Sequence, residues 1–568
     1  MITVGLNACI VDENNEIRPV DGGGVCLFED DKLLFAITEE RLTYKKYDGG
    51  FKKSLEYVLE ASGKSLQDVD QFAVSFYGVS LNVPKFLIEY IQTELSIQSH
   101  QKLIIVPSHH LSHAYAAFYS SGFKEALIVV NDNEGQIIGE KKSPHMFENS
   151  CERNSYYLAR NGEIELIDRD FEYPQGLGFG KLYNKFTRYL GMGNYHNAGK
   201  TMGLASFGSD NLLSLGDAYI KDYDGSIHCI IPDTGSTEKD MKTLFKKLGV
   251  TIPEPRKKTD PLRQMHADLA QYVQKQLEKW TTVKVEKLIE QYNLEYVCVG
   301  GGVALNCPTN SALLNIERVK NVYIPNAPQD QGLCIGNAIY AIVNSRREKA
   351  NFNQVKFEVP LYSGKKYTVT ANEIQTILKE FSNLHFSEVE DPCKIAAKLI
   401  AEGNVIAWFQ GASEFGPRAL GNRSILGDPR DKLVVNRLNL EIKKREAFRP
   451  FAPSVLIEKT QDYFENFSIE SPSMMFTADV KKEQVKNISG VVHVDGTARL
   501  QTVNKQDNPM YYRLIQHFGK LTGIYLVINT SFNLDGKPIV ETPYDAIACF
   551  NKSELDYLVI ENFVLRKI

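Results

Sequence analysis

Short apolar runs, each closed by glycine or a polar turn, alternate with stretches of helical periodicity along the chain, the pattern of an α/β protein. Ile2–Val11 reads as a strand, followed by a polar loop and Gly22-Gly23-Gly24. Val25–Asp30 and Leu33–Glu40 then read as two more strands across the turn Asp30-Asp31, a meander. Leu103–Pro107, Ala126–Val130 and Tyr296–Val299 are expected as buried strands. Ser108 is placed to cap a helix over the small apolar residues after His113, and Asp260-Pro261 to start an amphipathic helix reaching about Tyr292. Ser345–Gly364 is polar with little periodicity and sets the expected boundary between domains 1–350 and 351–568. No internal repeat or low-complexity tract is visible.

Composition narrows the class. The 568 residues exceed one hydrophobic core, while 43% hydrophobic and 24% charged residues are ordinary globular values. A net charge of −5 argues against a general nucleic-acid binder, which needs a basic face. The nine cysteines contain no C-x-x-C pair and suit reduced thiols. MITVGLNACIV lacks the charged start of a signal peptide, and no apolar run reaches the length of a membrane span. The expectation is a soluble cytoplasmic protein with no membrane partner.

Against this acidic background one segment is strongly basic. Between Arg418 and Arg449 stand nine Lys/Arg, among them Arg423, Lys443 and Arg445, against four acids. Gly416, Gly421 and Gly427 interleave them, so backbone amides and guanidiniums can both approach an anion. Apolar flanks, Val405–Phe409 and Pro450–Ser454, favour positioned arginines over a solvated loop and point to a nucleotide or acyl phosphate. A solvated edge is one reading of the charged run from Glu39 to Lys46.

A second chemistry sits earlier. His109 and His113 lie four apart on one face of the expected helix, the spacing that lets two imidazoles share a metal, and they are preferred over His110. Asp132, at the end of the next strand, can complete that site. Asp330 is either a helix cap or a fourth ligand. Gly300-Gly301-Gly302, running to Asn306, lets the backbone press on a flat ligand. The glycine-rich stretch around Lys200 could touch phosphate, although no Walker pattern is present. His493–Arg499 and Asn529–Asn533 are polar segments at or near strand ends.

Together EERLTYKKYDGGF, HHLSHAYAAF, GKTMGLASFG, GGGVALN, EFGPRALGNRSILGDPRD, REAFRPFAPSV, HVDGTAR and NTSFN resemble, in order, the bacterial ATP-dependent O-carbamoyltransferases. The resemblance implies an N-terminal actin-like ATPase-fold transferase domain and a C-terminal α+β YrdC-like domain. It implies that carbamoyl phosphate and ATP form carbamoyl-AMP in the C-terminal domain, whose carbamoyl group passes to the hydroxyl of a small-molecule natural product or sugar. The implied metal ligands are His109, His113, Asp132 and Asp330, with Asp21 and Arg418 also catalytic. Gly301, Gly302, Asn306, Arg418, Arg423, Lys443, Arg449, Arg499, Asn529 and Ser531 are implied to bind nucleotide and carbamoyl phosphate. Mixed nitrogen and oxygen ligands suit iron, manganese or zinc, with magnesium accompanying ATP. Homodimerisation is left open.

Three departures fall in the transferase half: Val20 where relatives place a histidine before Asp21, Asn133 and Glu134 in place of glycines, and Ala198 in place of a glutamate. A tRNA threonylcarbamoylation enzyme and a decayed nucleotide-binding regulator are the competing readings. Acidic charge opposes the first, and the retained ligand set opposes the second.

Overall fold

The computed structural model describes residues 1–11, 17–19, 21–78, 83–138, 151–171, 176–223, 225–251, 254–348, 356–465 and 467–568. Val20 and the expected boundary at 350/351 lie outside the described residues. The chain divides into a first unit, Met1–Glu39 with Asp48–Val359, and a second, Glu40–Tyr47 with Pro360–Ile568.

In the first unit the expected meander forms. β1 (Ile2–Val11) pairs antiparallel with the short β2 (Ile17–Pro19) and with β3 (Gly24–Glu29), Val4 facing Leu27, and β3 pairs antiparallel with β4 (Lys32–Thr38). On its other side β1 runs parallel to β5 (Gln71–Tyr77), which runs parallel to β6 (Lys102–Ile105). The second sheet repeats this plan. β7 (Glu125–Asn131) begins a meander through β8 (Asn154–Arg160) and β9 (Glu163–Asp170). Past a small hairpin of β10 (Tyr219–Lys221) and β11 (Ile227–Cys229), β12 (Tyr296–Gly300) joins β7 in parallel and β13 (Asn321–Tyr323) joins β12. Each sheet thus has the order third, second, first, fourth, fifth. That duplicated order is the arrangement of the actin-like ATPase fold, and it emerges although no sequence repeat is readable.

Central strands buried on both faces explain why their sequences are continuously apolar: Leu127 to Val130 are 0% exposed. Helix His109–Ser121 packs on the second sheet and helix Leu333–Glu348 on the first, and the two helices pack on each other. Gly336 permits that approach, since a Cβ there would lie 1.9 Å from the Ser112 carbonyl oxygen. A buried polar tie fixes the register. Ser112 Oγ donates to Asn337 Oδ1, and Asn337 Nδ2 donates to the Leu6 carbonyl at 2.9 Å and to Ser75 Oγ at 3.1 Å. Left unmade inside the core, such groups would each cost about 1–3 kcal/mol.

Two expectations are corrected. The long helix spans Gln264–Tyr292 and starts after Asp260-Pro261, because Asp260 closes a turn by accepting from Lys257 N at 2.9 Å. The charged run after β4 is a solvated edge at Lys45 and Lys46 but not at its start. Glu39 is 3% exposed and caps helix Lys52–Ser62, accepting from Ser54 N at 2.7 Å, and Arg41 is 2% exposed within the second unit.

The second unit is built on one mixed nine-stranded sheet. Its strands are β14 (Leu384–Glu388), β15 (Ile406–Phe409), β16 (Arg423–Gly427), β17 (Ala452–Leu456), β18 (Phe476–Asp479), β19 (Thr497–Val503), β20 (Leu526–Ser531), β21 (Tyr557–Ile560) and β22 (Phe563–Lys567). They lie in the order β14-β22-β21-β15-β16-β20-β17-β19-β18. Helices Pro392–Ala401 and Pro509–Thr522 contribute to one core cluster with Trp408, which is 0% exposed and donates Nε1–H to the Gly421 carbonyl at 2.9 Å. No helix among the described residues is long and apolar enough to cross a membrane.

Candidate active site

The histidine helix begins as its sequence dictates: Ser108 is extended and its Oγ accepts from Leu111 N at 3.1 Å. Glu152, 0% exposed, braces the same turn. Its carboxylate accepts from Ser108 Oγ, from His110 N at 3.2 Å, from Gln136 N at 3.1 Å and from Arg169 Nη2 at 3.0 Å. Burial opposes its ionisation, but His110, Arg169 and Ser108 outweigh burial and hold the carboxyl below its ordinary range.

Four side chains converge beyond that brace. His113 Nε2 lies 3.4 Å from Asp132 Oδ2, and His109 Nε2 lies 3.4 Å from Asp330 Oδ1. The cross distances are 3.9 and 3.7 Å, and one donor atom of each residue falls within 4.8 Å of the others. Strand order causes the convergence. Asp132 leaves the end of β7, Asp330 precedes helix Leu333–Glu348, and the histidine helix starts beside both. Asp330 is the first residue of a short 3-10 turn whose cap position is held by Gln329, and its Oδ1 faces both histidines. Burial lowers the His109 pKa, yet Asp132 and Asp330 outweigh it and push it up to about 10. The His113 pKa rises against burial for the same reason, and both carboxyls are held below their ordinary range by the histidines.

Both imidazole Nε2 atoms and Asp132 Oδ2 are buried without a hydrogen-bond partner among the described residues. Buried polar atoms in that state are rare, and two nitrogens with two carboxylates fit a divalent transition metal. His110 is excluded from the set. Its Nδ1 meets Ser155 Oγ at 2.8 Å, and burial lowers its pKa to about 4.

Gly301 sits at φ +85° beside this cluster, where a Cβ would lie 2.4 Å from the Asn131 carbonyl oxygen, and a Cβ on Gly302 would meet Asp132 Oδ1 at 3.2 Å. Asn306 instead caps the next helix through Thr309 N at 3.1 Å and pairs with Gln274 at 2.9 Å. The departures in this half have visible partners. Glu134 accepts from Lys181 Nζ and from Tyr77 Oη at 3.3 Å, and Asn133 Oδ1 accepts from Asn184 Nδ2 at 3.4 Å. Asp21 Oδ2 accepts from Tyr195 Oη and lies 3.1 Å from His196 Nε2. A histidine thus stands beside Asp21, supplied from a distant segment.

In the second unit the basic segment is sorted by the fold. Arg430 pairs with Asp428 at 2.6 Å and Arg437 with Asp556 at 2.7 Å. Arg423 differs from the expectation of a phosphate ligand. It is 0% exposed, stacks 3.6 Å over Phe409, and donates to the carbonyls of Gln410, Gly411, Asn422 and Glu541. Asn529 is likewise buried in the sheet, donating to Ala419 O, Ser454 Oγ and Gln501 Oε1. Arg418 lies half-buried in the loop between β15 and β16.

What gathers is a cation cluster. Lys443, 5% exposed, donates to Ser531 and to Asn533 Oδ1 at 2.7 Å. Burial, then neighbouring Arg445, push its pKa well down. Burial with Arg449 and Arg499 lowers Arg445 to about 9, and Arg449 is lowered by burial and by Arg499. Like charges crowded under burial, offset only in part by Glu446 and Asp535, are an arrangement that a bound anion would stabilise.

The family model for the carbamoyltransferase N-terminus matches residues 20–95 and 82–339, and that for the carbamoyltransferase C-terminus matches 397–567. The chain belongs to the carbamoyltransferase family. It is an enzyme of that family. An uncharacterized protein of Synechocystis is 34% identical across 95% of this chain and 94% of its own length. Nodulation protein NolNO of Sinorhizobium fredii is 31% identical across 100% of this chain and 83% of its own. The 3'-hydroxymethylcephem-O-carbamoyltransferase of Amycolatopsis lactamdurans is 32% identical across 47% of this chain and 48% of its own. Among solved structures, the activator of 2-hydroxyisocaproyl-CoA dehydratase from Clostridium difficile shares 12% identity over 62% of this chain and 98% of its own, at TM-score 0.32. A score that low carries no argument, and the actin-like description rests on the strand order.

In this carbamoyltransferase, sequence reasoning gave no site role to four residues that make contacts here. His196 meets Asp21, Lys181 pairs with Glu134 two residues after Asp132, and Arg445 joins Lys443. Arg41 enters the second unit buried, its Nη1 3.9 Å from Glu414 and 3.7 Å from Glu541. Only the word EERLTYKKYDGGF hinted at Arg41.

Proposed function

We propose that this carbamoyltransferase is ATP-dependent and works in two halves. In the second unit, carbamoyl phosphate, ATP and one water give carbamoyl-AMP, phosphate and pyrophosphate. Lys443, Arg445, Arg449 and Arg499, with Arg418 from the preceding loop, neutralise the phosphates during adenylation. Their crowding under burial, which Glu446 and Asp535 offset only in part, is the observation that carries this half.

In the first unit the carbamoyl group passes from carbamoyl-AMP to an acceptor hydroxyl, releasing AMP. His109, His113, Asp132 and Asp330 would hold a divalent metal of the iron, manganese or zinc class, whose positive charge would polarise the carbamoyl carbonyl and acidify the hydroxyl. The convergence of those four side chains, three of them with orphaned buried atoms, carries this half. Gly301 and Gly302 let the adenylate approach the backbone. Asp21, held by His196 and Tyr195, accepts the acceptor proton, so His196 does the work for which relatives carry a histidine at the position of Val20. The acceptor is a hydroxyl-bearing small molecule, the substrate class named in the cephem relative.

The test is pyrophosphate release from ATP, with and without carbamoyl phosphate, in the absence of acceptor. Carbamoyl-phosphate-dependent release, abolished by Arg418→Ala, is expected. Release that ignores carbamoyl phosphate, or survives Arg418→Ala, would remove the adenylation step.

A further inference from the structure

Helix Phe179–Tyr189 leads away from the histidine–aspartate cluster. Lys181, Asn184 and Arg188 are three and four residues apart, so they share one face and span about 10 Å at 1.5 Å per residue. The near end of that face touches the cluster's border: Lys181 donates to Glu134, and Asn184 to Asn133, the neighbour of Asp132. Arg188 Nε donates to Asn184 Oδ1 at 3.4 Å, and the far end opens into a cavity of about 660 Å³.

Three cations line this cavity, Arg188, Lys200 and Lys258, against one carboxylate, Glu238, which is paired with Lys242 at 2.8 Å. Met192 and Pro255 supply apolar wall. The volume falls in the range of small-ligand sites, roughly 300–1,000 Å³, and exceeds what a bare phosphate would fill. Asn197 and Lys200 also line the cavity, on the same segment that places His196 against Asp21. One short stretch of chain therefore borders both the cavity and the proton-accepting pair.

We propose that this cavity binds the anionic end of the acceptor, so that the acceptor is a hydroxyl-bearing molecule of sugar size carrying a phosphate or carboxylate apart from the hydroxyl that is carbamoylated. This inference rests on the two-half reaction above. Arg188, Lys258 and Lys200 hold the anion, and the stretch from His196 to Lys200 connects the cavity with Asp21.

Full-length protein titrated calorimetrically with glucose 1-phosphate and, separately, with glucose tests the proposal. Saturable binding of glucose 1-phosphate is expected, with none for glucose at the same concentration. Arg188→Ala and Lys258→Ala, both at exposed positions, should each weaken it roughly tenfold or more, the loss of one charge-assisted hydrogen bond. Carbamoyl-phosphate-dependent pyrophosphate release should stay within about twofold of wild type. Equal behaviour of the two probes, or binding unchanged in both variants, overturns the proposal. A parallel fall in pyrophosphate release also overturns it, since the cavity would then serve the nucleotide. Wild-type protein that binds glucose 1-phosphate yet shows no such release supports the cavity and removes the reaction assignment.

Discussion

Replacing His113 by alanine isolates the transfer chemistry from the activation chemistry. In wild type the imidazole is 2% exposed and its Nε2 is 3.4 Å from Asp132 Oδ2. In metal-free protein, where Asp132 and Asp330 raise its pKa against burial, opposite charges at that separation attract by about 5 kcal/mol at an effective dielectric of about 20. Desolvation offsets much of this, and breaking one partner out of a buried pair costs about 3–5 kcal/mol in practice. Asp132 and Asp330 would then face each other with only His109 between them. A ligand set reduced from four to three should lower metal content at least roughly tenfold in protein dialysed at micromolar metal. Carbamoyl transfer should fall a hundredfold or more, about 3 kcal/mol at 1.36 kcal/mol per factor of ten. Pyrophosphate release should remain within about twofold, because none of the cations around Lys443 is altered. The assays are elemental analysis of purified protein, AMP release on adding acceptor, and pyrophosphate release without it. Unchanged metal content together with an unchanged transfer rate would refute the four-residue site.

Other expectations concern its supports. Glu152→Gln removes the carboxylate bracing the histidine helix and leaves Arg169 poorly matched, so the melting transition should drop by about 3 kcal/mol equivalent and metal content should fall, whereas a wild-type melt would deny Glu152 that role. In metal-free protein the folded-state pKa of His109, about 10, lies above its ordinary 6.5, so its stabilising contribution is full below about pH 6.5 and is lost as pH rises toward 10. Chelated protein melted across that range should lose stability on the alkaline side more steeply than His109→Gln, and parallel curves would contradict the ion pairing. Lys443→Met should reduce carbamoyl-phosphate-dependent pyrophosphate release at least a hundredfold with metal content intact, and a variant releasing at half the wild-type rate would exclude Lys443 from the anion site.

Local chemistry was legible where it depended on neighbours in sequence. Ser108 caps its helix as its residue type and position imply, and the i, i+4 spacing of His109 and His113 put both imidazoles on one face. Asp132 was legible because it follows a run of buried strand residues. Arg423 was misread for a physical reason. A guanidinium in a basic segment serves a ligand or the backbone equally well, and only its burial against carbonyls and Phe409 distinguishes the two. The helix start at Asp260-Pro261 failed similarly, because an aspartate that caps a helix and one that closes a turn carry the same local signal. His196 was invisible as a partner of Asp21, since the two are 175 residues apart.

By itself the sequence determined the family, the α/β class and the identity of the four convergent side chains, because these reside in motif words and short-range spacing. The tertiary structure alone decided the duplicated sheet order, which brings Asp132 and Asp330 to one helix end from positions far apart in the chain. It also decided which cations crowd at Lys443 and which are consumed by Asp428 and Asp556. Segments 40–47 and 194–200 acquired their roles only from long-range contacts. Which distant groups meet depends on packing that buries apolar strands between helices, and no local window of sequence contains that information.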